Sequence, residues 1–262
     1  MGSHHKKEHA LQSEKFHQAP YTLSLYIIMH KTIKTSKGPY TYKFVPIFEG
    51  IKPIDKKIAN ENLQLLKQVC DRNHLTFLLF FGTLLGAVRE HGFITHDEDI
   101  DLVMLKSDMP AFLAMLFELR EVGFELARFE RRGFLSIIRK GEYIDLYFFA
   151  PYKKDPSLMH CCMDICEKKY VEETAPMEFL GQTYMAPIDY ENYLSHQYGE
   201  DWRTPSRKFE FGLSKVQRFK QLAIMYLKEL IPVSILERLQ EKKEQPVLDY
   251  FINKIESKKS NL

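Results

Sequence analysis

The stretch from Phe80 to Met104 limits what this chain can fold into more than any other. It reads Phe-Phe-Gly-Thr-Leu-Leu-Gly-Ala-Val-Arg, then Glu-His-Gly-Phe-Ile-Thr-His, then Asp-Glu-Asp-Ile-Asp-Leu-Val-Met. That order predicts an apolar strand over Leu75–Phe81 ended by Gly82, a short helix over Thr83–Arg89, and a second strand opened by an acidic cluster. Strand side chains alternate, so Asp99, Asp101 and Val103 share one face while Ile100, Leu102 and Met104 take the other. Two carboxylates roughly 7 Å apart on one strand face repel each other unless a cation sits between them. The stretch therefore predicts a divalent-metal site beside a phosphate-binding turn.

A third carboxylate occurs in Tyr143-Ile144-Asp145-Leu146-Tyr147, again on an apolar strand. A charge in that setting is costly unless it is paired or metal-bound. If this strand lies beside the acidic one, Asp99, Asp101 and Asp145 form an oxygen-only cluster suited to Mg²⁺ or Mn²⁺. Gly82 and Thr83 would offer backbone N–H groups, a hydroxyl and a helix N-terminus to a phosphate. Together these are the parts that phosphoryl transfer requires. Taken alone, Asp97-Glu98-Asp99 is more often a solvated loop or helix cap than a metal site, and Gly82-Thr83 is usually a plain turn.

The surrounding pattern is that of an α/β chain. Tyr21–Met29 and Tyr40–Phe48 read as strands joined through Ser36-Lys37-Gly38-Pro39, and Ile54–His74 as an amphipathic helix. A helix capped by Ser107 or Asp108 and closed by Gly123 precedes three strands, Phe124–Glu130, Phe134–Arg139 and Tyr143–Phe149, which form an antiparallel meander. After Pro151 the pattern loosens, then gives a small hairpin over Phe179–Tyr184 and a helix over Asp189–Tyr198. Three helical segments close the chain, at Ser214–Leu230, Ser234–Glu244 and Val247–Ile255. This divides it into an N-terminal β extension (1–50), a mixed sheet flanked by helices (51–206) and a helical C-terminal segment (207–262).

Gly82-Thr83-Leu84-Leu85-Gly86-Ala87-Val88-Arg89, Gly92-Phe93-Ile94 and Asp97-Glu98-Asp99-Ile100-Asp101 resemble the signature of the LicD family, which includes bacterial phosphorylcholine transferases and, more distantly, fukutin and fukutin-related protein. Phe179-Leu180-Gly181 to Pro187, Tyr193-Leu194 and Tyr198-Gly199-Glu200-Asp201-Trp202-Arg203-Thr204-Pro205 resemble its distal motif. The resemblance implies a nucleotidyltransferase-like fold. It also implies a magnesium-dependent phosphotransferase that moves a phosphorylated alcohol from a CDP-activated donor to a glycan hydroxyl, in lipopolysaccharide, capsule or teichoic acid. By motif position Asp99, Asp101 and Asp145 would hold metal, Gly82 and Thr83 the donor phosphates, and Arg89 would contact phosphate or pair with Asp97 or Glu98. Thr95-His96 and Ser206 stand where many members carry Pro-Trp and a second proline. Rival readings are an Asp-x-Asp glycosyltransferase using a nucleotide sugar, which leaves Asp145 and the Gly-Thr turn without a role, and an inactive glycan-binding scaffold.

Other features exclude more than they assign. The net charge of +2 gives no argument for nucleic acid. No apolar run approaches the roughly 20 residues of a membrane span. Cys161, Cys162 and Cys166 beside His160 lack a standard zinc spacing and read as packing residues, and the four cysteines do not form a secreted framework, which favours the cytosol. Tyr193, Tyr198, Trp202 and Arg203 read either as a stacking wall or as a loop anchor. Lys242, Lys243, Lys258 and Lys259 read as a solvated basic face, with peripheral contact at the inner face of a membrane as the alternative.

Overall fold

The computed structural model describes residues 30–47, 52–205 and 214–260. Strands β1 (His30–Thr35) and β2 (Gly38–Lys43) form an antiparallel hairpin that turns at Ser36-Lys37. The turn is where the sequence places it, but the first arm is His30–Thr35. The expected strand Tyr21–Met29 lies outside the described residues. Tyr40 and Tyr42 on β2 are buried in the main core, so the hairpin shares that core.

Helix α1 (Lys56–Arg72) starts where Asp55 accepts hydrogen bonds from the N–H groups of Lys57 and Ile58, at 3.0 and 3.1 Å, a cap worth about 1 kcal/mol. Its buried stripe is Ala59, Leu63, Leu66, Val69 and Cys70, each large aliphatic side chain contributing about 1.5–3 kcal/mol. Strand β3 (Leu78–Leu79) is shorter than expected because α2 (Phe81–Arg89) begins before Gly82. The rings of Phe80 and Phe81 pack on Phe149, Tyr147 and Tyr193, so that apolar run fills the core and only two of its residues join a ladder.

Then come β4 (Ile100–Leu105), α3 (Met109–Glu121) and the meander β5 (Glu125–Glu130), β6 (Phe134–Arg139) and β7 (Glu142–Tyr152). The segment expected to be loose is a hairpin, β8 (Asp155–Cys161) and β9 (Asp164–Glu167), continuing from β7 after a register shift at Pro151. A one-turn helix α4 (Lys169–Glu172), the hairpin β10 (Thr174–Phe179) and β11 (Gln182–Pro187), and α5 (Tyr190–Tyr198) follow. The main sheet runs β10-β11-β3-β4-β7-β6-β5, with β11·β3 and β4·β7 parallel and the other pairs antiparallel. This is the mixed sheet flanked by helices that the sequence implies. The central β4·β7 pair is apolar on its core face, through Ile100, Leu102, Ile144 and Leu146.

The C-terminal segment is α6 (Lys215–Lys228) and a single helix α7 (Val233–Ser260), where two helices were expected. Pro246 lies inside α7, a position that costs about 3 kcal/mol. Local tertiary contacts offset that cost. Leu248 and Ile255 bury against Tyr152, Leu158 and Ile165 of the β7–β9 ribbon, and Glu244 takes both outer nitrogens of Arg132, at 2.5 and 3.0 Å.

Candidate active site

The parallel register of β4 and β7 sets Asp101 directly opposite Asp145. Asp99 stands one residue ahead of β4 on the same face. One carboxylate oxygen from each of the three lies within 4.8 Å of the others. Like charges opposed across a ladder are destabilising, so this pairing opposes the fold unless a further positive charge joins it.

Hydrogen bonds support two of the three carboxylates, Asp145 and Asp101. The Ser136 hydroxyl donates to Oδ1 of Asp145, and Arg128 Nη2 donates to its Oδ2 at 2.7 Å. Arg128 in turn lies on the ring of Phe134 at 4.6 Å. Asp101 is fastened to α2 by two bonds: the Gly82 N–H donates to its Oδ2 at 3.2 Å, and its own N–H donates to Thr83 Oγ1 at 2.8 Å. The first turn of α2 thus serves the carboxylate directly. Gly82 borders the cleft, whereas Thr83 is buried beneath it. A Cβ on Gly82 would sit 2.9 Å from Asp97 Oδ2, and one on Gly86 would sit 2.5 Å from the carbonyl oxygen of Gly92. Both glycines let the acidic loop close onto α2. Phe81 enters the helix at φ +43°, a strained start costing about 1–3 kcal/mol, and such strain clusters at functional sites.

Phe81, Gly82, Asp97, Asp99 and Asp101 border a cleft of about 660 Å³. Its lining includes the acids Asp97, Glu98, Asp99, Asp101 and Asp164, together with Tyr198, Trp202, and Tyr143 and Tyr147 on the same sheet face as Asp101. Burial, reinforced by neighbouring carboxylates, holds Asp99 and Asp101 well above the usual carboxylate range. Burial also raises Asp145, though Arg128 and Ser136 pull the other way. Asp97 is pushed up to about 6 by burial and then by Glu90. Asp164 is pushed up to about 7 by burial and then by Glu244. Desolvation of the hydroxyls, then the same acids, holds Tyr147 and Tyr198 well above their ordinary range, although the Tyr198 side chain as a whole is 40% exposed.

The structure gathers Asp99, Asp101, Asp145, Gly82 and Arg89 around one site. Arg89 does not pair with Asp97 or Glu98. It donates to Glu90 Oε1 at 2.8 Å and to the Trp202 carbonyl at 3.1 Å, and its buried Nε has no partner. The aromatic group divides. Tyr193 is core, 4.2 Å from the Phe80 ring, while Tyr198 and Trp202 face the cleft and Arg203 caps the Trp202 ring at 4.1 Å. Cys161 is buried and donates to the Gly133 carbonyl, and among the described residues the cysteines form no metal-ligating group. Sequence reasoning missed Asp164, Tyr143 and Tyr147. The alternation Tyr143-x-Asp145-x-Tyr147 already put both tyrosines on the Asp145 face, and Asp164, isolated between Met163 and Ile165, carries the same signal as Asp145.

A hard divalent cation fits this donor set. The half-buried Asp99 and Asp101 and the buried Asp145 offer only oxygen, burial and neighbouring carboxylates raise the proton affinity of the first two, and Asp97 Oδ2 is buried nearby without a hydrogen-bond partner.

Comparison with known proteins agrees with the sequence motifs. Residues 74–189 match the family described as LicD/FKTN/FKRP, nucleotidyltransferase domain. An uncharacterized protein of Rickettsia typhi is 26% identical over 155 residues, covering 56% of this chain and 48% of that protein. The lipopolysaccharide cholinephosphotransferase LicD of Haemophilus influenzae is 36% identical over 56 residues, 21% of each chain. The chain therefore spans less than half the length of these curated relatives. Among solved structures it has a distant likeness to the lincomycin-bound lincosamide antibiotic adenylyltransferase LnuA, with TM-score 0.37 and 10% identity over 62% of this chain and 95% of that one. The antibiotic-resistance factor ANT(2'')-Ia gives TM-score 0.42 and 11% identity over 79% of this chain and 97% of that one. With the signature residues assembled around a cleft, residues 74–189 form a segment that matches the LicD family.

Proposed function

We propose that this protein is a Mg²⁺- or Mn²⁺-dependent phosphotransferase that moves a phosphorylated alcohol, phosphocholine or a polyol phosphate, from a CDP-linked donor to a hydroxyl of a cell-surface glycan. The observation that carries this reading is the meeting of Asp99, Asp101 and Asp145, of which Asp99 and Asp101 line the cleft. When bound there, a divalent cation would neutralise donor phosphate charge.

The chain's own residues do the rest. Asp99, Asp101 and Asp145 hold the cation, and the carboxylate oxygens left over orient the acceptor hydroxyl. Arg89, with an unpartnered buried N–H at the cleft, and the Gly82 backbone contact the donor phosphates. Thr83 acts as a positioning residue by fixing the Asp101 backbone. Tyr198 and Trp202 supply faces for the donor's base or the acceptor's sugar. Tyr143 and Tyr147 close the cleft floor and limit water. We further propose the division at 1–50, 51–206 and 207–262, and a cytoplasmic location at the inner face of the membrane. No helix among the described residues is long and apolar enough to cross one.

The test is to incubate the protein with Mg²⁺, an acceptor glycan, and in turn CDP-choline, CDP-polyols and nucleotide sugars. Release of CMP from a CDP-alcohol is expected. Release of a nucleoside diphosphate from a nucleotide sugar would instead establish the glycosyltransferase reading. Unchanged glycan modification in cells carrying Asp101→Ala would leave only a binding or scaffolding role.

A further inference from the structure

Helix α6 presents an apolar face to solvent. Val216, Phe219 and Leu227 recur at helical spacing along one side, with Leu230 just past its end, and Phe219 is 74% exposed, Leu227 60% and Leu230 61%. Val233, Ile235 and Leu239 extend the exposed apolar surface into the first turns of α7. Scattered exposed leucines need no explanation, but a continuous run of this kind marks a contact surface.

The charge on the same helix says what kind of contact. Lys215, Arg218, Lys220 and Lys228 are its charged residues, and it carries no aspartate or glutamate. None of the four takes part in an ion pair among the described residues. Glu229, the first acid beyond the helix, is already engaged by Lys31. Beside this strip the helix is anchored to the body of the protein, where Tyr226 meets Phe44 edge-on at 6.2 Å. Further along, Glu237 is held by Arg131 at 2.8 Å and Glu244 by Arg132, so these two acids of α7 face the domain, and the exposed acids Glu241 and Asp249 lie beyond its first two turns. A cationic helix with exposed aromatic and aliphatic side chains and a fixed inner face matches the requirements for lying in the headgroup layer of an anionic bilayer. A protein groove would more often bring acids to pair with those four cations. A second copy would bring four more cations.

We propose that α6, with the first turns of α7, is a peripheral docking surface for an anionic phospholipid membrane. This deepens the membrane location proposed above and stands independently of the reaction, so loss of either leaves the other intact.

Co-sedimentation of the full chain with vesicles tests it. Vesicles of phosphatidylcholine containing about 30% phosphatidylglycerol should retain the protein at about 0.1 M salt, and pure phosphatidylcholine should not. Raising salt to about 1 M should weaken retention, since the Debye length falls to about 3 Å. Phe219→Glu with Leu227→Glu should weaken retention at least about tenfold, as should Lys215→Gln with Lys220→Gln. The melting temperature should stay the same in both. Phe219→Leu should retain binding. Equal retention on neutral and anionic vesicles, or retention unaffected by either pair of substitutions, overturns the proposal. So does the absence of vesicle binding together with a concentration-dependent dimer that Phe219→Glu abolishes, which would make a second copy the occupant.

Discussion

Where β4 meets β7, carboxylates are withdrawn from water; along α6, valine, phenylalanine and leucine side chains are left in it. The first arrangement opposes folding by desolvation and like-charge repulsion, and it persists because Arg128, Ser136, Gly82 and Thr83 fix the groups in place. The second arrangement costs the isolated fold little, because an exposed apolar side chain forgoes a gain without incurring a comparable penalty. The lesson is one of asymmetry. Removing the buried charges should relieve the fold and end function, while altering the exposed apolar face should leave the fold alone and end only an interaction.

The largest effect should come from Asp101→Asn. Loss of a ligand that stabilises transferred phosphate should lower turnover on the order of 10³-fold. The same change should raise the melting temperature of the cation-free protein at pH 7.5, because one of three crowded carboxylates becomes neutral. If calorimetry showed a lower melting temperature, the claim that the cluster opposes folding would not stand. Wild-type protein should gain stability when Mg²⁺ is added at pH 7.5, and gain less at pH 5.5, where protons occupy the same oxygens.

Next in size is Asp164. Its folded-state value, about 7, lies above the ordinary carboxylate value, so the folded chain binds the proton more tightly than the unfolded one. Its contribution is therefore fully present at acid pH and is lost as pH rises from about 4 to about 7, with nothing further lost above that. Asp164→Asn should remove this dependence and stabilise the protein at pH 8 by at most about 4 kcal/mol. Urea unfolding at pH 5 and pH 8 measures it, and an unchanged difference between the two would show that Asp164 is ionised at little cost.

A smaller loss is expected where the tail is tied to the domain. Arg132→Ala leaves Glu244 partly buried and unpaired, at a cost of about 1–3 kcal/mol. Because α7 already accommodates Pro246, limited proteolysis should cut near that residue faster in the variant. Smallest of all, Phe219→Glu should shift unfolding by less than about 0.5 kcal/mol. A larger loss would mean that the α6 face is covered within the chain itself.

Much of the site was legible because its signals are local. Asp101 and Asp145 each interrupt an apolar strand, and that cost announces itself without a structure. The meander β5–β7 was marked by Arg132-Gly133 and Lys140-Gly141. What could not be read is what depends on distant neighbours. The pairing of β4 with β7 joins residues far apart in sequence. Phe80 and Phe81 look like strand residues until Phe149, Tyr147 and Tyr193 claim their rings. Pro246 ends a helix by local rules, and only the anchoring of Glu244, Leu248 and Ile255 carries the helix through it. The β8–β9 hairpin hid behind Pro151 and the cysteine cluster, and Asp164 was hidden with it.

Trp202 is the single tryptophan of the chain, and it borders the cleft with its carbonyl bonded to Arg89 and its ring beneath Arg203. The protein thus carries its own optical reporter. All intrinsic tryptophan emission comes from one wall of the candidate active site, so quenching or a spectral shift on adding a nucleotide or a divalent cation can be assigned to that wall without any label. A titration followed at that one fluorophore would rank donors before any product is identified.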